Sequence, residues 1–146
     1  MDLKRQSGQS LQVGPAMPFW FDGITLEWQG QTKPVSEHVL DIFDYVALMD
    51  YRDHASGPDG IISNGMDELK CAERLHKKLV IGVDVAPNDI QRVSFDHLRE
   101  PDLERELRLS ANMFQSHRAF DGFTTHHFGA YQAWLARVSA QPVPQP

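Results

Sequence analysis

Three apolar runs, DYVALMDY from Asp44, LVIGVDV from Leu79 and FDGFTTHHF from Phe120, alternate with segments of helical periodicity. This alternation constrains the fold more than any other feature of the chain. Near-continuous apolar runs suit strands covered on both faces, as in parallel sheets. Between the first two runs, Ile62, Met66, Leu69 and Ala72 recur at helical spacing, with Leu75 on the same broad face. Pro58 is expected to open that helix at its first position, and Lys77 and Lys78 to close it against the negative end of the dipole. Pro101 opens a second helix with Leu103, Leu107, Ala111 and Phe114 inward, and AYQAWLARV reads as a closing amphipathic helix. Upstream lie a β-rich ITLEW, a turn at Gln29-Gly30, and a short helix SEHVLDIF. Ser36 is expected to N-cap that helix, which buries Val39, Leu40 and Phe43. Strand–helix alternation of this kind predicts right-handed βαβ units and a parallel sheet.

The chain of 146 residues is long enough for one domain with a real core. Residues 1–12 and the Pro/Gln-rich tail 139–146 are expected to be loosely ordered, leaving a domain over 13–138. A net charge of −6 argues against nucleic-acid binding, which needs clustered cations to replace phosphate counterions. No apolar run approaches the ~18 residues that span a bilayer, so no membrane partner is expected. The N-terminus MDLKRQSGQSLQ lacks the apolar stretch of a signal peptide, and Cys71 stands alone. These features lead to a cytoplasmic expectation. No glycine-rich dinucleotide or P-loop turn follows a strand and no GxSxG is present, so neither a cofactor nor a serine nucleophile is expected.

In parallel α/β folds, functional groups gather at the C-terminal ends of the strands. Four clusters fall there: Trp20 with Asp22, Tyr51-Arg52-Asp53-His54, Asp84, and His126-His127. Asp84 is the sharpest, because a carboxylate inside LVIGVDV needs a partner or a purpose. Asp50 and Asp53 read equally as ion-pair partners of Arg52. His126 and His127 are adjacent, so on a strand only one of them lines the interior. An Asp84–His metal site is an alternative, although adjacent histidines are poorly spaced as ligands. His38, His76, His97 and His117 read as surface residues.

Four segments carry a family likeness: PFWFDG, DYVALMDYRDHASGPDGI, KKLVIGVDVAP and FDGFTTHHFGAYQAW. On these, Val13 to Trp134 resembles the C-terminal half of a (β/α)8 TIM-type barrel, about the last four βα units. The barrels concerned are glycoside-hydrolase-like, distantly similar to family 18 chitinases and nearer to uncharacterised bacterial glycosidase-like proteins. Met49 and Tyr51 match the strand-six motif Met-x-Tyr-Asp of chitinase-like barrels, and Arg52 stands in place of its Asp. The resemblance implies that Tyr51, Asp84 and His126 do the chemistry, with Asp84 as acid or base. It also implies that Trp20, Asp22, Arg52, Asp53 and His127 bind carbohydrate, Trp20 by stacking on a sugar ring.

FDGITLEWQG is similar to the chitinase catalytic strand Asp-x-x-Asp-x-Asp-x-Glu, with Asp22 in the first position. Gln29 replaces the final Glu, however, and an amide cannot supply the proton that this acid gives the leaving group. The expected fold is therefore half of a barrel, since a closed one takes ~250 residues. The implied function is a carbohydrate-binding or carbohydrate-hydrolysing segment, inactive alone and completed by self-association or by a complementary half-barrel. The alternatives are a non-catalytic module for binding or assembly and a metal-dependent hydrolase.

Overall fold

A computed structural model describes residues 11–140. The expectations of loose order at the two chain ends lie largely outside the described residues. The architecture is mixed α/β: a four-stranded parallel sheet, a two-stranded antiparallel hairpin and four α-helices among the described residues. The sheet strands are β1 (Ala16–Pro18), β4 (Tyr45–Met49), β5 (Lys78–Asp84) and β6 (Phe120–His126), hydrogen-bonded in the order β1-β4-β5-β6. The numbering jumps because the hairpin β2 (Thr25–Trp28) and β3 (Gln31–Pro34) is inserted after β1. Its turn residues Gln29 and Gly30 have φ of 53° and 74°, the positive pair that a tight two-residue hairpin turn demands. The helices are α1 (Val35–Ile42), α2 (Ile61–Arg74), α3 (Glu100–Phe114) and α4 (Phe128–Ser139).

The core lies on one face of the sheet. Met17, Val46, Leu48, Leu79, Ile81 and Val83 are buried there in one cluster with Leu40, Leu69, Ala72, Leu103, Phe114 and Trp134 from the helices. Each such side chain stabilises by about 1.5–3 kcal/mol when fully buried, so this face supplies most of the folding drive. The opposite face differs from the expectation of strands covered on both sides. Ala47, Met49 and Val80 point there and stay partly exposed, because all four helices supply their apolar stripes to the other side. The sheet is open, with β1 and β6 as its edges.

Local boundaries differ from the sequence reading at three places. Helix α1 starts at Val35 directly from the extended Pro34, which puts Ser36 inside the first turn, buried, and not at the cap. Helix α2 starts at Ile61, not at Pro58, because residues 55–60 fold into a tight turn first. In that turn Ile61 N–H donates to His54 and Ile62 N–H to Ala55, and a Cβ at Gly60 would lie 2.7 Å from the Ala55 carbonyl oxygen. The same helix ends at Arg74, before Lys77 and Lys78. His76, at φ 55°, donates to Glu73 O and Lys77 N–H donates to Ala72 O, the paired bonds of a left-handed C-terminal stop.

The similar pentapeptides FDGIT, residues 21–25, and FDGFT, residues 120–124, adopt different structures. Phe21–Gly23 belongs to a 3-10 turn spanning Phe19–Gly23, which leads into the exposed hairpin and not into a strand of the parallel sheet. Phe120–Gly122 lies within β6, where Gly122 at φ 107° accommodates a register shift against β5. His38 is another correction. It is buried, edge-on to Trp28 at 5.6 Å, with Nε2 3.0 Å from the Leu26 carbonyl oxygen. In this way the imidazole holds the hairpin onto α1.

Candidate functional site

Parallel pairing puts partner residues on a common face, so the register decides which side chains meet. Met49 pairs with Gly82, Gly82 with Thr124, and Asp84 with His126, all on the open face near the carboxyl ends of the strands. Tyr51 follows β4 and folds over Gly82. A Cβ at that position would lie 3.6 Å from Tyr51 Cε1 and only 2.8 Å from the Leu48 carbonyl oxygen. A glycine is therefore required for the strands and the phenol ring to approach so closely. Gly82→Ala is expected to cost about 1–3 kcal/mol by overpacking and to displace the Tyr51 ring. Urea unfolding checks the first effect and tyrosine ring-proton shifts the second.

Tyr51, His126 and His127 line a cleft of about 220 Å³, and Asp84 lies beside it, outside the lining. The Tyr51 and His126 rings lie 5.5 Å apart, and His126 Nδ1 is 4.0 Å from Asp84 Oδ1, beyond direct hydrogen-bonding distance. Asp84 is 8% exposed, and its Oδ1 accepts from Ala86 N–H at 2.9 Å, which fixes the carboxylate in an Asx turn at the strand end. Burial, reinforced by the Asp84 charge, pushes the Tyr51 phenol above its usual range. It therefore acts as a hydrogen-bond donor at neutral pH.

Both histidines line the cleft, contrary to the expectation that only one does so. The alternation rule fails because β6 ends at His126. His127 instead caps α4, with Nδ1 accepting from Ala130 N–H at 3.3 Å; the peptide joining the two histidines is cis.

The other candidates are engaged elsewhere. Arg52 donates to the Tyr51 carbonyl and to Asp59, each at 2.7 Å, and its guanidinium sits 4.9 Å from the centre of the Phe19 ring. It is thus positioned to steady the segment that carries Tyr51. The same ion pair holds the Asp59 carboxyl below its usual range. Asp53 lies between two imidazoles, His54 Nδ1 at 2.7 Å and His97 Nε2 at 3.3 Å, while its N–H donates to the Arg92 carbonyl. It joins the loop after β4 to the loop after β5. Trp20, 54% exposed, and Asp22 occupy the 3-10 turn after β1, at the same end of the sheet as the cleft. No group of three or more His, Cys, Asp or Glu is placed to hold a metal ion among the described residues.

Two buried carboxyls went unremarked as a pair in the sequence. Asp50 is fully buried behind the cleft, with Oδ1 accepting from Asn64 at 3.1 Å and Oδ2 unpartnered among the described residues. Glu68 is 2% exposed, one turn along α2, and neither of its side-chain oxygens has a partner among the described residues. Burial raises Asp50 to about 7, against smaller opposing effects of Asn64 and Arg52. Burial likewise raises Glu68 to about 8, with Asp22, Asp67 and Asp50 adding to the rise. A signal for both was present. Asp50 continues the inward alternation of Val46 and Leu48, and Glu68 lies on the inward stripe of Ile61, Gly65 and Ala72.

No family model matches this chain, and no curated protein or solved structure matches it.

Proposed function

We propose that the cleft beside Asp84 binds carbohydrate, and that the sheet is part of a (β/α)8 barrel of the glycoside-hydrolase-like kind. The observation that carries this reading is a cleft lined by Tyr51, His126 and His127 at the carboxyl ends of parallel strands, where such folds place their sites, with Asp84 beside it 4.0 Å from His126. The chemistry suits a polyol. Tyr51 donates a hydrogen bond, Asp84 accepts one or exchanges a proton, and the flat Tyr51 and His126 rings offer faces to sugar C–H groups. Trp20 supplies a further exposed aromatic face at the same end.

Hydrolysis by the usual route needs two carboxyl groups about 5–10 Å apart. Asp84 is the carboxylate that meets Tyr51 and His126, so a second has to come from strands that complete the sheet. In this reading those strands belong to a second copy or to a complementary half-barrel, pairing at β1 and β6. The chain by itself then binds glycans without turning them over.

The test is a titration with chito-oligosaccharides and a panel of other glycans, followed by the shifts of the His126 ring and the Trp20 indole. Saturable shifts are expected for at least one glycan, with affinity falling about tenfold or more in Asp84→Asn as a charge-assisted hydrogen bond is lost. If no glycan perturbs these signals, or if Asp84→Asn binds as well as the parent, the reading is wrong.

A further inference from the structure

The ends of the strands opposite the cleft concentrate positive charge. Strand β5 runs from Lys78 to Asp84, so its seven residues put about 20 Å between this end and the candidate carbohydrate site. A second cleft, of about 410 Å³, is lined there by Glu73, His76, Lys77, Lys78 and Arg118. In a chain with a net charge of −6, such a grouping of cations runs against the overall balance.

The cations are held in a particular way. Lys77 Nζ donates to the Phe43 carbonyl at 2.7 Å, and Lys78 Nζ donates to the Arg118 carbonyl at 2.8 Å. A carbonyl fixes an ammonium group in place without cancelling its charge, as a carboxylate would. The carboxylate in the lining, Glu73, is already occupied by His117 Nδ1 at 2.8 Å and by the Arg118 N–H at 3.0 Å. Asp121 Oδ1 forms an ion pair with Lys78 Nζ at 3.8 Å, too long for a direct hydrogen bond, and offsets part of that lysine's charge. The Arg118 guanidinium makes no hydrogen bond among the described residues, although its charge acts on the nearby Glu73 carboxylate.

We propose that this second cleft binds a phosphomonoester. Arg118 would grip the phosphate oxygens with two parallel N–H bonds, the geometry that guanidinium offers and ammonium does not. Lys77 and Lys78 supply fixed charge beside it. The volume is that of a pocket for a small organic ligand and exceeds what a bare ion fills.

The experiment titrates the full chain with inorganic phosphate, sulfate and glycerol phosphate, with sodium chloride at matched ionic strength to remove general screening. Amide shifts at residues 76–78 and 118 are the readout. Saturable shifts are expected with phosphate, at least about threefold tighter binding with glycerol phosphate, and no saturable shift with chloride. Arg118→Gln is expected to weaken binding about tenfold or more, while Arg108→Gln, a charge-matched change on α3, leaves it intact. Lys77→Gln is a second variant in the cleft and is also expected to weaken binding. Equal responses to phosphate and chloride, or full affinity in Arg118→Gln, overturn the site. Glycerol phosphate binding no tighter than phosphate or sulfate overturns the phosphomonoester assignment.

Discussion

Replacing the two buried carboxyls, as Asp50→Asn with Glu68→Gln, is expected to flatten the dependence of folding stability on pH between about 4 and 8. Asp50 has an ordinary value of 3.8 and is raised to about 7 in the folded chain; Glu68 goes from 4.5 to about 8. Well below pH 3.8 both groups carry protons in the folded and unfolded states, so neither changes stability with pH. Between the unfolded and folded values only the folded state keeps the proton, and stability falls as pH rises. Each pH unit in that window costs at most about 1.4 kcal/mol per group. Local water entry will reduce this, so the parent should lose a few kcal/mol in total by pH 8.

Glu73 and Asp102 are held below their ordinary values by His117 and Arg105, respectively. Their contributions run in the opposite sense and fade only as pH falls below about 4. The parent should thus be most stable on the acidic side of neutrality. Urea midpoints measured from pH 4 to 9 check this. Parallel pH profiles for parent and double variant would show that the carboxyls are ionised or hydrated in the folded chain.

Trp134→Ala is expected to destabilise the fold by about 3–5 kcal/mol, the range for removing a large buried aromatic. Trp134 is 2% exposed on α4, and its indole N–H reaches the carbonyls of Phe95 at 3.1 Å and Leu98 at 3.3 Å. Those carbonyls flank the 3-10 turn Phe95–His97, so the indole ties the last helix to the long connection after β5. From the same helix, Arg137 also reaches Asp96. His97 in that turn contacts Asp53, and Ser94 Oγ donates to the Ala86 carbonyl just beyond Asp84. Damage at Trp134 should therefore loosen the loops around the cleft before the sheet itself.

Trp134→Phe separates the two contributions. It retains most of the apolar packing and loses only the N–H, for an expected cost of about 1–2 kcal/mol. Native-state hydrogen exchange should show the largest gain in opening at residues 94–98. Uniform loss across the sheet would mean that Trp134 is simply a core residue with no local role.

Much of the parallel sheet was legible because its signals are local. LVIGVDV and FDGFTTHHF each become a strand over nearly the predicted residues, and the Leu103, Leu107, Phe114 stripe specifies α3 without reference to the rest of the chain. Helix limits were less legible where tertiary contacts outweigh propensity. Pro58 is a good helix opener, yet the turn at residues 55–60 delays α2 to Ile61. His38 looked like a surface residue because nothing local shows that the hairpin folds back over α1.

The candidate site divides in the same way. That Tyr51, Asp84, His126 and His127 fall at strand ends is a property of the sequence, since each follows or closes an apolar run. That Asp84 stands beside His126, and Tyr51 over Gly82, depends on the register between strands roughly forty residues apart. Register is a non-local choice, made when helices and strands pack to bury a common face. That packing also turned Arg52 and Asp53 into braces, buried Asp50 and Glu68, and gathered Lys77, Lys78 and Arg118 at the opposite end. The sequence by itself determined alternation, parallelism and the roster of polar strand ends. Only the tertiary structure decided which of those groups share a cleft, because proximity across a sheet comes from the common core and from no single segment.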